Sequence, residues 1–301
     1  MAGQWTDDDR RVVREFAAWL DVTGTSQEAA ARLLGIAPGT LSPMLAETYV
    51  GRVGKICERM IRALTRARLI AAVPQDPPYV TTSVTKQVTD TLVLAHTERR
   101  MAMVLGPSGV GKTMAVRRYA EAEPETIYIV AGTESSPWAF MRRLAGLLRV
   151  PWHGSTYDMR LACADHLRNS DRLLVVDECD YQPERTLQTI RLIHDDARIG
   201  VALVATPAYL KHLRDAKSDT LQQVLGRIAY VAQVAPCCDD DLARIAAPFG
   251  LDDAAMDALV EGAHGQARRA VAALAAARRR SNDGITAAAV KRAYQALMPA
   301  E

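Results

Sequence analysis

The chain reads Gly106-Pro107-Ser108-Gly109-Val110-Gly111-Lys112-Thr113 directly after an apolar run at residues 101–105 and at the start of a helical pattern. Glycines in such a loop let backbone N–H groups close around phosphate oxygens, and the N-terminus of the following helix adds positive potential. The spacing is the GxxxxGK[ST] pattern of a Walker A motif, which is specific in this strand-to-helix context. We therefore predict that residues 106–113 bind ATP, with Lys112 contacting the β- and γ-phosphates and the Thr113 hydroxyl ligating Mg²⁺.

A second apolar run ends in two adjacent carboxylates. Residues 173–176 read Leu-Leu-Val-Val and are followed by Asp177 and Glu178. We expect Asp177, a Walker-B-type residue, to hold the water shell of Mg²⁺, and Glu178 to orient and deprotonate the attacking water. An acidic pair at this place can instead cap a helix, but the Walker A motif upstream favours catalysis. The sequence thus predicts an enzyme that hydrolyses ATP to ADP and phosphate.

The order of apolar runs indicates the fold class. Strand-like runs alternate with helical patterns and lie at residues 101–105, 127–131, 173–177, 200–205 and 228–234. This alternation is typical of an α/β protein with a mostly parallel, doubly wound sheet. After Pro236 only helical patterns remain, and they lie at residues 239–247, 254–261, 266–279 and 286–297. We expect these to form a small helical domain.

Thr206 ends the fourth of these runs and is followed by Pro207. If the fourth strand neighbours the strand that carries the Walker A loop, the Thr206 hydroxyl would lie beside the γ-phosphate. Because Pro207 can open a helix, an N-cap role for Thr206 is an equal alternative.

A helix pair near the amino end resembles a DNA-binding motif. Thr25-Ser26-Gln27-Glu28 is a capping-box pattern that would open a helix from Ala29 to Leu34, which Gly35 can end, and a second helix would open at Pro38 or Thr40 and run through Leu45. The apolar residues available to pack the pair are Ala30, Leu34, Ile36, Leu41 and Leu45. This spacing is that of a helix-turn-helix, although an ordinary helical hairpin has the same pattern.

The next helical pattern carries a basic stripe. Cationic residues recur at steps of three and four, at Arg52, Lys55, Arg59, Arg62 and Arg66, while the opposite face is apolar, with Val53, Ile56, Met60, Leu64 and Ala67. Such a stripe beside a helix-turn-helix suits phosphate contacts, and a solvated helix face is the alternative. We predict DNA contacts by the stripe and by Thr40 and Ser42 of the helix pair.

Domain boundaries follow from proline placement. Val73-Pro74-Gln75-Asp76-Pro77-Pro78 cannot continue a helix, because each proline lacks a donor N–H. We predict a helix-turn-helix DNA-binding domain at residues 1–72, a Pro-rich linker at 73–80, a nucleotide-binding core at 81–236 and a helical lid domain at 237–301.

Composition limits the remaining possibilities. The 301 residues are 49% apolar and 24% charged, as in a globular protein with a buried core, and no apolar run approaches the ~20 residues of a membrane span. Asp7-Asp8-Asp9 is unlike a signal peptide, so we expect a cytoplasmic protein. The net charge is only +2, so nucleic-acid binding must rest on local patches. The five cysteines form no CxxC pair and indicate packed thiols.

Together these motifs resemble AAA+ ATPases, and within them the MuB-like transposition target-selection family, typified by the B protein of phage Mu. The resemblance covers nearly the whole chain. It rests on the helix-turn-helix at residues 25–46, the Pro-rich junction, the Walker A motif, Val175-Val176-Asp177-Glu178, Arg198-Ile199-Gly200 and Gly226-Arg227-Ile228-Ala229. The implied fold is a P-loop AAA+ core with a helical C-terminal lid, preceded by a small all-α domain.

The resemblance also implies roles by position. Thr206 matches sensor 1, where the family usually has asparagine, and Arg227 matches the arginine finger. Arg268, in Gly265-Gln266-Ala267-Arg268, matches the sensor-2 arginine of the lid, with Arg269 as the alternative register. An arginine finger neutralises charge at the γ-phosphate of a neighbouring subunit, and the head-to-tail interface that this requires forms rings or helical filaments.

The function that the resemblance implies is ATP-dependent polymerisation on double-stranded DNA, largely independent of sequence, with recruitment and stimulation of a transposase, in the cytosol of a bacterium or phage-infected host. Two alternatives are a helicase-loader ATPase, which shares the core, and an ATP-responsive transcription regulator. A small-molecule kinase is a weak fourth possibility, because it leaves the first 70 residues unexplained.

Two further groups of basic residues could each face a DNA duplex or simply be solvated. They are Arg142, Arg143 and Arg149, and Lys211, Arg214 and Lys217.

Overall fold

The computed structural model describes residues 5–71, 78–132, 136–151, 154–279 and 284–297. The chain forms two compact units, Met1–Gln75 and Asp76–Glu301. Most of the predicted Pro-rich linker, residues 73–77, lies outside the described residues. Within the described ranges, no helix is long and apolar enough to cross a membrane.

The first unit is helical. Its described helices are α1 (Asp7–Thr23), α2 (Gln27–Leu34), α3 (Pro38–Leu45) and α4 (Val53–Ala71). Their core includes Phe16, Leu41, Met44 and Met60, all fully buried. The sequence did not predict α1, whose N-terminus carries a capping box between Thr6 and Asp9. The predicted helix pair is present as α2 and α3.

The predicted capping box at Thr25 is wrong. Ser26 is the N-cap of α2, and its side chain accepts from the N–H of Ala29. Thr25 belongs to the end of α1 instead, since its N–H donates to the carbonyl of Leu20 and its hydroxyl pairs with that of Thr23. The second helix begins at Pro38, the first of the two predicted starts.

The second unit contains a five-stranded parallel sheet. The strands are β1 (Met101–Leu105), β2 (Thr126–Val130), β3 (Leu173–Asp177), β4 (Gly200–Ala205) and β5 (Ile228–Gln233), in the order β2-β3-β4-β1-β5. The doubly wound parallel sheet predicted from the alternation is confirmed. β4 neighbours β1, and Leu105 pairs with Ala205. Residues 106 and 206 therefore leave the sheet side by side.

Helices cover both faces of this sheet. They are α5 (Ser83–Thr97), α6 (Lys112–Ala122), α7 (Pro137–Leu148), α8 (Thr156–Leu167), α9 (Glu184–Ala197), α10 (Pro207–Asp215) and α11 (Asp219–Leu225). Alternate residues of β1 belong to different cores. Ala102 and Val104 pack with α5 and α6, whereas Met101, Met103 and Leu105 pack on the opposite face. Burial on both faces explains why β1 reads as continuously apolar.

The C-terminal helices form a lid. They are α12 (Asp239–Ala246), α13 (Asp253–Ala263), α14 (Ala267–Arg278) and α15 (Ala287–Leu297), each close to its predicted range. Alanines dominate their contacts and let the helices approach closely. At Gly262 of α13 an added Cβ would lie 2.2 Å from the Tyr294 ring of α15, so only glycine fits there. The lid shares its core with one face of the sheet.

Candidate nucleotide site and basic helix

The predicted phosphate-binding loop connects β1 to α6. Gly109 and Gly111 have φ values of 80° and 113°, which L side chains rarely adopt. At Gly106 an added Cβ would lie 2.2 Å from the Val234 side chain, so this position also requires glycine. Because α6 begins at Lys112, its free N–H groups lie at the end of the loop. The local geometry is that of an anion site at a helix N-terminus.

Lys112 lies within this loop. Its Nζ donates to the carbonyls of Gly106 (2.6 Å) and Pro107 (2.8 Å). Burial lowers the pKa of Lys112, while the carboxylates of Asp177 and Asp180 oppose that shift and Arg268 adds to it. Four charged side chains from three different parts of the chain therefore act on one another at this edge of the sheet. The half-buried Thr113 follows Lys112 in the first turn of α6.

Asp177 is 2% exposed at the end of β3. One carboxylate oxygen accepts from the N–H of Glu178 and the other from the hydroxyl of Tyr128, both at 2.9 Å. Burial, reinforced by Asp177, raises the pKa of Tyr128 to about 12, so this phenol remains a donor. Sequence reasoning missed Tyr128, which lies on the neighbouring strand β2. Glu178 is exposed and has a left-handed backbone with φ 56°.

Thr206 is the N-cap of α10 by backbone position, but its side chain makes no capping bond. Its hydroxyl donates to Asp180, and its N–H lies 3.0 and 3.1 Å from the two oxygens of the same carboxylate. Thr206 therefore holds the N-cap position, as the alternative predicted, but its hydroxyl bonds Asp180 and does not cap the helix. Sequence reasoning also missed Asp180, although it stands only two residues after Glu178. The assignment of Thr206 to the sensor-1 position stays a prediction.

The lid touches the loop directly. The N–H of Arg268, at the start of α14, donates to the carbonyl of Gly109 at 2.9 Å, and the Cys237 thiol lies 3.4 Å from the carbonyl of Val110. Arg269 lies instead over the ring of Tyr294, 5.7 Å from its centroid. This arrangement favours Arg268 over Arg269 for the sensor-2 register.

Arg227 is not brought to the loop of its own chain. It immediately precedes β5, and Ile228 pairs with Met101 at the start of β1. The loop follows the other end of β1, five residues further, a separation of roughly 17 Å at the rise of a strand. Arg227 instead donates from Nε to Asp195 of α9 at 2.9 Å.

The predicted DNA-contacting residues lie in the first unit. Ser42 and the stripe residues Arg52, Lys55, Arg59, Arg62 and Arg66 are exposed, and Thr40 is half-buried. The opposite face of α4 is buried as predicted, except that Ala67 is only partly covered. Arg59 has a structural role as well, because its Nη1 donates to the carbonyls of Leu34 (3.1 Å) and Gly35 (2.9 Å) at the end of α2.

Comparison with known proteins adds to this geometry. Residues 95–213 match the family described as AAA domain. The Mu-like prophage FluMu DNA transposition protein B of Haemophilus influenzae is 25% identical over 248 residues, which cover 80% of this chain and 86% of that protein. The ATP-dependent target DNA activator B of Escherichia phage Mu is 27% identical over 175 residues. The chain is similar to the B proteins of phage Mu and of a Mu-like prophage.

The match to phage Mu B covers 56% of this chain and 55% of that protein, and phage D108 gives the same coverage at 26% identity. The chain thus spans about half the length of these two relatives. Among solved structures, the Aeropyrum pernix ORC2 protein superposes with a TM-score of 0.56 over 76% of this chain and 72% of that one, at 18% identity. Domain III of the Thermotoga maritima replication initiation protein DnaA superposes with a TM-score of 0.50 over 73% of this chain and 95% of that one, at 14% identity. At these identities the likeness concerns the AAA+ fold alone.

Proposed function

We propose that this chain is an ATP-hydrolysing, DNA-binding protein that assembles on duplex DNA and selects target DNA for a transposase. The observation that carries the proposal is a loop with Lys112, Asp177 and Arg268 converging on it, in a homologue of proteins named for DNA transposition and for ATP-dependent activation of target DNA. The AAA domain supports ATP hydrolysis in general. Assembly, DNA stimulation and the transposase partner are the parts that we add.

ATP phosphates would be held by the backbone N–H groups of residues 106–113, apart from Pro107, which has none, and by those of the first turn of α6. Lys112 would exchange its bonds to two loop carbonyls for bonds to phosphate oxygens. Its Nζ already lies in the loop, so the side chain would move only a short distance. Glu178, exposed beside the site, would orient the attacking water and accept its proton. Arg268 would respond to the nucleotide from the lid, since its backbone is bonded to Gly109.

Thr113 and Asp177 would hold Mg²⁺. A hydroxyl and a carboxylate are hard oxygen donors of the kind that Mg²⁺ prefers, and Asp177 keeps unused lone pairs beyond its bonds to Glu178 and Tyr128. When bound, the ion would neutralise charge on the β- and γ-phosphates. The residues present fit this cofactor.

Arg227 supports head-to-tail assembly. A guanidinium that lies a strand length from its own loop is of use at a γ-phosphate only if that phosphate belongs to another subunit. A repeated contact of this type forms a ring or a helical filament. Hydrolysis would then depend on assembly.

DNA binding by residues 1–72 is supported by the exposed cations of α4, which stand on one face at helical spacing. Thr40 and Ser42 of α3 would add polar contacts to the backbone. We take residues 81–236 as the ATPase core and 237–301 as its lid.

The test is imaging of the protein on long duplex DNA with ATP, with ADP and without nucleotide, followed by a strand-transfer assay with a candidate transposase. ATP-dependent coating of arbitrary sequence and stimulated strand transfer would support the proposal. Protection of one defined operator would favour a transcription regulator, and delivery of a helicase without effect on strand transfer would favour a loader. Lys112→Ala is the control, since it should lose ATP binding and, with it, the coating.

A further inference from the structure

An ionic cluster lies at the edge of the sheet opposite the nucleotide-binding loop. Asp195 of α9 accepts from Arg227 Nε with one carboxylate oxygen and from Arg191 Nη1 with the other. Arg191 is 9% exposed, and its Nε donates to the side chain of Gln188 at 3.0 Å. Gln188, Arg191 and Asp195 are spaced three and four residues apart, so they share one face of α9. The Asp195 carboxylate, which accepts from Arg227, is thus fixed by a second hydrogen bond from the buried Arg191.

The form of the Arg227 contact has a chemical consequence. In the part of the chain that the structure describes, the bond from Nε to Asp195 is the one side-chain hydrogen bond of Arg227. This bond leaves both Nη groups available to another partner. They form a planar pair that matches phosphate oxygens, and the Arg227 side chain is 49% exposed. Fixing Nε removes rotamers that a solvated arginine would otherwise sample.

We infer that Asp195, held by Arg191, positions the guanidinium of Arg227 for the γ-phosphate of a neighbouring subunit. This inference rests on the proposed function, in which Arg227 is the arginine finger. A contrary arrangement, in which Asp195 sequesters Arg227 and restrains hydrolysis, has the opposite sign. Loss of Asp195 lowers assembly-dependent turnover if the residue positions Arg227, and raises it if the residue restrains Arg227.

The first measurement is DNA-stimulated ATP turnover of Asp195→Ala, Asp195→Asn and Arg227→Ala. A misplaced catalytic group can lose on the order of 10²-fold in rate, so Asp195→Ala should lose about that much and the isosteric Asn variant less. ATP affinity should stay at the wild-type value, because the cluster lies a strand length from the loop of its own chain. Asp196→Ala is the matched control. It removes a neighbouring carboxylate of α9, which pairs with Arg160 of α8, and leaves Arg227 untouched.

The second measurement separates positioning from damage to the fold. Asp195→Ala protein has an intact nucleotide site and a displaced finger, whereas Glu178→Gln protein has an inactive site and an intact finger. In a 1:1 mixture that assembles at random, about half of the Asp195→Ala sites meet an intact finger, so turnover per active site should rise to about half the wild-type value. A structural defect would not be complemented in this way.

Unchanged or raised turnover in Asp195→Ala, or a loss that mixing does not repair, would overturn the inference. If Arg227→Ala itself keeps wild-type stimulated turnover, the finger role in the proposed function fails instead. If Arg227→Ala loses turnover while Asp195→Ala does not, only the role of Asp195 is refuted.

Discussion

Tyr128→Phe removes a single hydroxyl, the one that donates a hydrogen bond to the buried Asp177 carboxylate over 2.9 Å. A hydrogen bond to a charged group contributes about 1.5–3 kcal/mol, and groups that orient a metal ligand typically change metal affinity by about 10- to 100-fold. Because Asp177 loses this partner, we expect the Mg²⁺ concentration for half-maximal ATP turnover to rise roughly 10-fold. Turnover at saturating Mg²⁺ should remain close to wild type.

The assay is steady-state hydrolysis across a Mg²⁺ titration at fixed ATP. Tyr119→Phe is the matched control, since its hydroxyl pairs with His96 at 2.9 Å and touches no carboxylate of the site. Equal Mg²⁺ requirements in wild type and Tyr128→Phe, with the fold intact, would refute the claim that Tyr128 orients Asp177.

The burial of this phenol sets a pH dependence. Burial raises the pKa of Tyr128 to about 12, above the ordinary tyrosine value of ~10. The folded state therefore favours the neutral phenol, and its contribution to stability is complete below about pH 10 and lost as pH rises towards 12. The difference in unfolding free energy between wild type and Tyr128→Phe should be constant below this window and change inside it.

Three further outcomes test the packing and the basic stripe. Gly262→Ala should lower the melting temperature by roughly 5 °C, because its Cβ overlaps the Tyr294 ring, whereas Gly146→Ala, on an open helix surface, should not lower it. Arg62→Ala should weaken DNA binding and reduce the slope of log affinity against log salt by about 1, with unchanged stability. Arg59→Ala should weaken DNA binding in the same way and should also destabilise the first unit, since Arg59 caps α2. Calorimetry measures the loss of stability, and the salt series measures the loss of DNA binding.

The loop and the strand that precedes it could be predicted because their signals are local. Glycine placement, an apolar run and a helix start all lie within a dozen residues, and the same holds for the lid helices. The side chains that contact these residues from other parts of the chain could not be predicted. Tyr128 and Asp180 reach the site through strand order and register, and Asp195 meets Arg227 across 32 residues of chain.

Other misses have local causes. Acidic residues suit the first turn of a helix, so Asp7-Asp8-Asp9 is a local signal for the start of α1. Thr25 and Ser26 both offer a capping hydroxyl, and the choice between them depends on how α1 ends. The stripe on α4 was predicted correctly as a face, but periodicity does not show that Arg59 reaches carbonyls of another helix.

The proposed function has bound ATP drive assembly on DNA, and we further expect hydrolysis to reverse that assembly. Glu178→Gln keeps the size of the side chain but cannot accept a proton from water, so ATP should bind and persist. We would measure dissociation from long duplex DNA after a competitor chase, with ATP and Mg²⁺ present, for wild type and Glu178→Gln side by side. We expect an off-rate at least about 10-fold lower in the variant, since the ATP-bound state is then the populated one. Equal off-rates, with hydrolysis shown to be blocked, would contradict it.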